Sequence, residues 1–275
     1  MTSLATTTST PKHSAITKSQ ANILTLLYGY RFLSRNQIQA FLGHANKSKI
    51  NKWLRDLYNK GYLSRSFKNT LGENTKPAVY CCSLGAIRHF KTTDYASEQV
   101  IKRLYQDPRR TTSFITSSLV LADIALQLEN ATNKTLRFEF ATSNIYSHPE
   151  SRAHFLVDER LYPAAVIIKA EGAVYTPYLI EMVPYGLPPS RLYGIINAYL
   201  DLYFASGWEN HMGLTFPKIF FACATTRQLQ DAYNFANMQL QDAEDTEDLR
   251  LIFMTQSALQ TNFANSIIDE EKTAR

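Results

Sequence analysis

From Asn46 to Gly61 the chain carries a pattern that an amphipathic helix satisfies and a strand does not. At about 100° per residue, Ile50, Trp53, Leu54, Leu57 and Tyr58 fall on one side of that helix. Ser48, Lys52, Arg55 and Asn59 fall on the other, with Lys49 and Asn51 at the flanks. Asn46 is a capping residue and Gly61 a stop. Two helices precede this one, the second of them short. Thr17-Lys18-Ser19-Gln20 has the form of a capping box, ahead of Ile23, Leu24, Leu26, Leu27 and Tyr30 at helical spacing. Ser34-Arg35-Asn36-Gln37 repeats the signal ahead of Ile38, Phe41 and Leu42. Two alternating runs follow, Tyr62 to Phe67 and Ala78 to Leu84, joined by a polar loop with Gly72, Asn74, Lys76 and Pro77. Three helices and a hairpin make a winged helix-turn-helix over residues 17–91, behind a Thr/Ser-rich tail (1–16) expected to be disordered.

Charge divides the chain in two. Residues 1–110 carry 18 Lys/Arg against 5 Asp/Glu, and residues 111–275 carry 11 against 19. The halves therefore stand at +13 and −8, which together return the net +5. A basic segment joined to an acidic one points the first half at a polyanion. A helix fits the major groove, where Arg and Asn read base edges while lysines pair with phosphates. Arg55, Asn51 and Lys52 are the candidates for groove contact. Lys47, Lys49, Arg35, Lys68 and Lys76 are the candidates for the phosphate backbone, the last two from the wing. Taken singly each is an ordinary solvated charge; the argument rests on the set. Winged helices also serve as protein-docking modules, so the fold alone decides nothing.

Beyond a linker at 92–112, with the boundary near Asp107-Pro108-Arg109-Arg110, residues 113–268 read as an α/β domain. An apolar helix runs from Ser113 to about Ala131, followed by β-type runs at 136–140, 162–169 and 178–185. Pro188-Pro189-Ser190 opens a helix with Leu192, Ile195, Ile196, Tyr199, Leu202 and Tyr203. The continuous apolar run Lys218 to Ala224 reads as a buried strand, followed by a helix from Thr226, a strand at 249–254 and a closing helix.

Behind a winged helix, this order resembles the replication-relaxation family of bacterial mobile elements. The likeness is carried by Leu26 to Ser34, Leu57 to Leu63, Tyr80 to Gly85, Leu161 to Ala165, Leu179-Ile180-Glu181 and the Tyr199 helix. It implies an α+β chain whose second domain is similar to the PD-(D/E)xK restriction-endonuclease-like core, which some plasmid relaxases also use. A nuclease of that type holds Mg²⁺ on two carboxylates and adds a Lys two residues beyond the second. Here Pro163 is followed by Ala164 and Ala165 where an Asp belongs, and the position two beyond Glu181 is Val183. Ile195 stands one turn before Tyr199, where the replication-relaxation pattern has a basic residue. The resemblance thus implies a catalytically inactive nuclease-like domain with Glu181 as a vestige. Completion of a site by Asp158 or Glu159 is the enzymatic alternative.

No other catalytic set is legible. A Gly-x-Ser-x-Gly elbow, a Walker A loop and a His-Glu-x-x-His pattern are absent, and the six histidines are scattered. His44 and His89 have no second ligand at metal spacing, and Cys81, Cys82 and Cys223 form neither a zinc pattern nor a disulfide framework and read as buried thiols. Tyr193, Tyr199 and Tyr203 sit at helical spacing and read as core packing. No apolar run spans a membrane, and the tail lacks the apolar region of a secretion signal, which points to a cytoplasmic protein. The resulting expectation is a DNA-binding protein of a plasmid or integrated mobile element, acting in replication, relaxation or mobilisation. Its partners would be double-stranded DNA and either a second copy or a replication or mobilisation protein, with no cofactor and no metal. A divergent metal-dependent nuclease or relaxase and a winged-helix protein-interaction module are the alternatives.

Overall fold

The computed structural model describes residues 16–66, 77–93, 96–148, 150–151, 153, 161–205, 214–241, 243 and 246–273. Most of the N-terminal tail (1–15), Lys68 and Lys76, and Asp158 and Glu159 lie outside them. In the first half, α1 (Lys18–Tyr30), α2 (Arg35–Phe41) and α3 (Lys47–Asn59) are each started by the cap read from sequence. Thr17 Oγ1 accepts from the Gln20 amide at 3.3 Å while Gln20 Oε1 accepts from the Thr17 amide at 2.9 Å. Ser34 and Gln37 repeat the exchange at 3.2 and 2.9 Å, and Asn46 Oδ1 accepts from the Lys49 amide at 3.1 Å. Each cap satisfies donors that a helix leaves open in its first turn.

A small antiparallel sheet completes this half. Strands β2 (Leu63–Ser66) and β3 (Val79–Cys82) pair with Leu63 opposite Cys82, and β1 (Leu33–Ser34) adds to the other edge of β3, giving the order β1-β3-β2. Ile23, Leu24 and Leu27 pack with Ile38, Ile50, Leu54, Leu57, Leu63 and Cys82. Two positions depart from the helical-wheel reading of α3. Tyr58 is exposed, with the Arg65 guanidinium over its ring, and Trp53 is half-buried. Both lie at the margin of the apolar face, Trp53 still packed against the core and Tyr58 beyond it.

The expected linker at 92–112 is not one. After α4 (Leu84–Phe90), residues Glu98–Gln106 form α5, capped by Ser97, and Asp107–Arg109 add a short 3₁₀ turn. Val100, Ile101 and Leu104 are buried in the first half's core, because an i, i+1, i+4 apolar set lies on one helix face.

The second half is built on a five-stranded sheet in the order β4-β5-β6-β7-β8. β4 (Leu136–Thr142), β5 (Ala165–Glu171) and β6 (Val174–Val183) are antiparallel neighbours; β7 (Lys218–Cys223) and β8 (Leu251–Thr255) extend the sheet in parallel with β6. A four-residue helix, α7 (Ser143–Tyr146), follows β4. The parallel crossovers are made by α8 (Pro189–Phe204) and α9 (Thr226–Leu240). α6 (Thr112–Ala131) and the closing α10 (Gln256–Thr273) cover the opposite face. Period-two alternation assigns the faces. On β7, Ile219, Phe221 and Cys223 meet Leu192, Ile196 and Tyr199, whereas Phe220 and Ala222 meet Ile124, Leu259 and Phe263. The chain is thus a mixed α+β protein with a mixed five-stranded sheet. Among the described residues, no helix is long and apolar enough to cross a membrane.

The two halves are packed together. Thr142 Oγ1 donates to the Gly29 carbonyl at 2.6 Å and Asn144 Nδ2 to the Tyr28 carbonyl at 2.8 Å. Gln37 Nε2 reaches the Leu119 carbonyl at 2.8 Å and Asp123 Oδ1 at 2.6 Å. At Gly29 a β-carbon would stand 3.0 Å from Ile145 Cδ1, so any side chain there would require Ile145 to shift where α1 meets α7.

Candidate nucleic-acid interface and buried carboxyl

Ile50, Leu54 and Leu57 seat α3 on the core, which turns Lys47, Ser48, Lys49, Asn51, Lys52 and Arg55 to solvent. All five residues nominated from this helix are therefore exposed on one element. No carboxylate lies within ion-pair distance of Lys47, Lys49, Lys52 or Arg55 among the described residues. The helix carries one acid, Asp56, and it is turned toward α1: Gln20 Nε2 donates to it at 2.6 Å and Lys60 Nζ lies 2.7 Å away. The bonds from Lys60 and Gln20 hold the Asp56 carboxyl below its ordinary value, with the Lys52 charge adding to them.

Arg35 differs from the rest of the nominated set. Its backbone amide donates to the Ala78 carbonyl at 3.1 Å at the base of the hairpin, and its Nη2 donates to Asn36 Oδ1 at 2.6 Å. Its Nη1 is enclosed without a hydrogen-bond partner. The side chain is half-buried rather than presented with the α3 lysines. His44 stands edge-on to Trp53, 5.2 Å between ring centres, and accepts from the Asn46 amide through Nδ1 at 3.0 Å. It supports the start of α3.

Glu181, near the end of β6, is 8% exposed. Alternation places it on the α8 side of the sheet, where Tyr199 donates to its Oε1 at 2.6 Å. Burial pushes the Glu181 carboxyl up to about 7 against the pull of that bond, and Tyr199 is itself raised by burial beside Glu181. Glu181 and Ala164 both line one cavity of about 290 Å³. Its other walls come from the end of α1 with Arg31, from α6 with Phe114 and Leu121, and from Tyr162 at the surface. Val183 is buried in the layer under α8 and α9. Among the described residues, no three His, Cys, Asp or Glu side chains come together as a metal site would require.

A second polar assembly, which sequence reading missed, borders the cavity. Arg31 pairs with the fully enclosed carboxylate of Asp107 through Nε and Nη2. Arg110 lies 4.0 Å from the same carboxylate, and the guanidiniums of Arg31 and Arg110 stand 4.5 and 4.9 Å from the Phe114 ring centre. Burial raises the Asp107 carboxyl and Arg31 pulls it back. Arg103 links the cluster to the second half by donating to the Ser143 carbonyl at 3.2 Å. In sequence, Asp107-Pro108-Arg109-Arg110 has the composition of an exposed boundary. Its one buried carboxylate gives no signal until Arg31, 76 residues upstream, is known to face it.

No family model, curated protein or solved structure matches the chain.

Proposed function

We propose that the chain is a double-stranded DNA-binding protein in which residues 17–91 act as a winged helix and α3 enters the major groove. The observation that carries this reading is the exposed basic face of α3, where among the described residues no carboxylate lies within ion-pair distance of Lys47, Lys49, Lys52 or Arg55. Lys47 and Lys49 sit in the first turn, which holds no acid, so they stand at the positive end of the helix dipole. That placement costs the isolated helix a few tenths of a kcal/mol and becomes favourable when phosphates approach the same end. The order α1-β1-α2-α3-β2-β3 supports the winged-helix assignment. Arg55, Asn51 and Lys52 read the groove, Lys47 and Lys49 hold phosphates, and Lys68 and Lys76 extend the contact from the hairpin. The resemblance to the replication-relaxation family extends the reading to a cytoplasmic protein of a plasmid or integrated element. The α/β half is then a non-catalytic nuclease-like scaffold that docks a second copy or a replication or mobilisation protein.

Fluorescence anisotropy of the full chain on a random-sequence duplex tests the DNA reading. Affinity should fall by orders of magnitude between roughly 50 and 200 mM salt, as counterion release requires. The Lys52→Glu/Arg55→Glu double variant should bind at least about tenfold more weakly and with a shallower salt slope. A salt-insensitive signal, or a folded double variant that binds like wild type, overturns the assignment of α3. For the second half, neither wild type nor Glu181→Ala should nick supercoiled plasmid with Mg²⁺ or Mn²⁺. Metal-dependent nicking that disappears in Glu181→Ala would establish the enzymatic alternative instead.

A further inference from the structure

The five-stranded sheet has two edges, and they are treated differently. On β4 the edge carries the exposed charges of Arg137 and Glu139. The end of α1 meets it as well: Tyr30 stacks with Phe140, 6.2 Å between ring centres, and the Gly29 carbonyl takes the Thr142 hydroxyl. Charges and a covering helix are ordinary means by which a sheet keeps its edge from pairing with another chain. β8 has no such guard. Its residues Leu251-Ile252-Phe253-Met254-Thr255 include no charge and no proline, and its register with β7 runs without a bulge.

The backbone of β8 is open on its outer side. The Ile219 amide donates to the Arg250 carbonyl at 2.9 Å, and Ile219 stands level with Leu251. In a parallel pair that register turns the backbone groups of residues 250, 252 and 254 toward β7, and those of Leu251, Phe253 and Thr255 away from it. Among the described residues no hydrogen bond is made to the outward amides of Leu251 and Phe253. The side chains stop short of full cover in the same place. β7 is buried from Ile219 to Cys223, whereas all of β8 is half-buried. Leu251 and Phe253 lie at the margin of one core layer, Ile252 and Met254 at the margin of the other. Tyr233 on α9, 48% exposed, stands edge-on to Phe253 at 6.2 Å and extends this apolar border.

We propose that β8 is the surface by which the α/β half meets a second copy of this chain, two β8 strands pairing antiparallel about a two-fold axis so that the two sheets become one. This deepens the reading that the half docks a partner, and it does not depend on DNA binding. The occupant follows from charge. A strand without charge pairs with its own copy free of like-charge repulsion, and a two-fold axis requires the same patch on both copies. Residues 111–275 stand at −8, which opposes contact between copies over much of the remaining surface of this half. The direction follows from the same term. Just before β8 come Asp242, Glu244, Asp245, Glu247 and Asp248. A parallel pair would set two such acidic segments side by side, whereas an antiparallel pair sends them to opposite ends. With Phe253 of one copy opposite Phe253 of the other, Leu251 falls opposite Thr255, and the outward groups of Leu251 and Phe253 gain partners. So short a contact lies at the small end of protein interfaces, and association in the micromolar range is expected.

Sedimentation velocity of the full chain between about 1 and about 100 µM provides the test: the average mass should rise from that of one chain toward that of two. Leu251→Lys places a cation on the edge of each copy, the guard that natural edge strands use, and should weaken the dimer at least about tenfold. Circular dichroism checks that the variant is folded. If it is not, hydrogen exchange of the wild type decides. Segment 249–255 should then exchange several-fold more slowly at about 100 µM than at about 1 µM, while segment 136–142 on β4 is unchanged. A chain that stays monomeric at about 100 µM overturns the proposal and leaves a strand of a different protein as the occupant of the edge. A folded Leu251→Lys that dimerises like wild type overturns it too, as does a dimer in which segment 249–255 exchanges alike at both concentrations. None of these measurements involves DNA, so failure of the DNA reading leaves the test standing.

Discussion

The exposed face of α3 and the junction between the two halves both concentrate charge, and they do so under opposite physical conditions. On α3, Lys47, Lys49, Lys52 and Arg55 stand in water with no carboxylate within ion-pair distance among the described residues, and their mutual repulsion is screened and weak. At the junction, Arg31 and Arg110 face one enclosed carboxylate, Arg103 reaches across to the Ser143 carbonyl, and Glu181 is buried with Tyr199 bonded to one of its oxygens. Charges in water cost little and therefore report little about stability; their placement reports what can approach. Charges removed from water carry a desolvation penalty of several kcal/mol each, so every one must be compensated or leave a measurable deficit. The first region should respond to salt and to partners, the second to pH and to mutation.

Among the charged positions the largest effect belongs to Asp107. Replacing it by Ala leaves Arg31 buried at a strained backbone position, φ +67°, with two further arginines beside it. Removal of one partner from a buried ion pair costs about 3 to 5 kcal/mol. Denaturant unfolding of Asp107→Ala should show that loss, whereas Lys52→Ala on the exposed face should be within about 0.5 kcal/mol of wild type. If Asp107→Ala and Lys52→Ala unfold at the same denaturant concentration, the junction is no more demanding than the surface and the contrast fails.

How much of this was legible beforehand follows from the range over which each feature is specified. Caps are written within three residues, so Thr17/Gln20, Ser34/Gln37 and Asn46 were readable and their hydrogen bonds are present. The apolar run of β7 and the Tyr199 helix were readable for the same reason, since periodicity is local. Segment 98–106 was equally local, with Ser97 as cap and Val100, Ile101 and Leu104 on one face. Its signal is masked by Pro108 and two arginines just beyond it, which have the composition of a linker. The exposed set on α3 could be named from its helical spacing, while the bond of the Arg35 amide to the Ala78 carbonyl, 43 positions away, could not. Glu181 was visible as an isolated acid on a strand. Its poise near neutrality depends on Tyr199 and the layer above it, which only the packed chain supplies.

Glu181 provides the second-largest effect, and its sign is opposite to that of a paired carboxylate. In the folded chain its carboxyl is raised to about 7, while in the unfolded chain it titrates near the ordinary value of 4.5. Between those values the unfolded state has released its proton and the folded state has not, so stability falls as pH rises from about 4.5 to about 7 and is level beyond. The deficit at pH 8 is about 3 kcal/mol. Glu181→Gln keeps the shape and an acceptor for Tyr199 but cannot ionise. It should match wild type near pH 4 and exceed it by about 2 to 3 kcal/mol near pH 8. A constant difference across the range would mean that Glu181 is ionised throughout and that its burial is compensated by something other than Tyr199.

The smallest effect sharpens the comparison within α3 itself, where the exposed and buried faces meet at Trp53. Its ring is half-buried, standing edge-on to His44 and packing from the margin against the layer that contains Ile50, Leu54 and Leu57. A fully buried tryptophan replaced by Ala costs about 3 to 5 kcal/mol, and about half of that contact exists here, so Trp53→Ala should cost about 1 to 2 kcal/mol. Leu54→Ala, at a side chain 1% exposed, should cost about 2 to 5 kcal/mol. The ordering Leu54→Ala worse than Trp53→Ala, measured by thermal or denaturant unfolding, is the sensitive readout, because on size alone tryptophan would be the worse loss. Under conditions where both variants stay folded, Trp53→Ala should hold DNA like wild type, since its ring lies off the Lys52–Arg55 side of the helix. If Trp53→Ala instead weakens DNA binding without unfolding the chain, the reading face of α3 extends across His44 and Trp53. The boundary between the exposed and the structural side of the helix would then have to be redrawn one residue row further round.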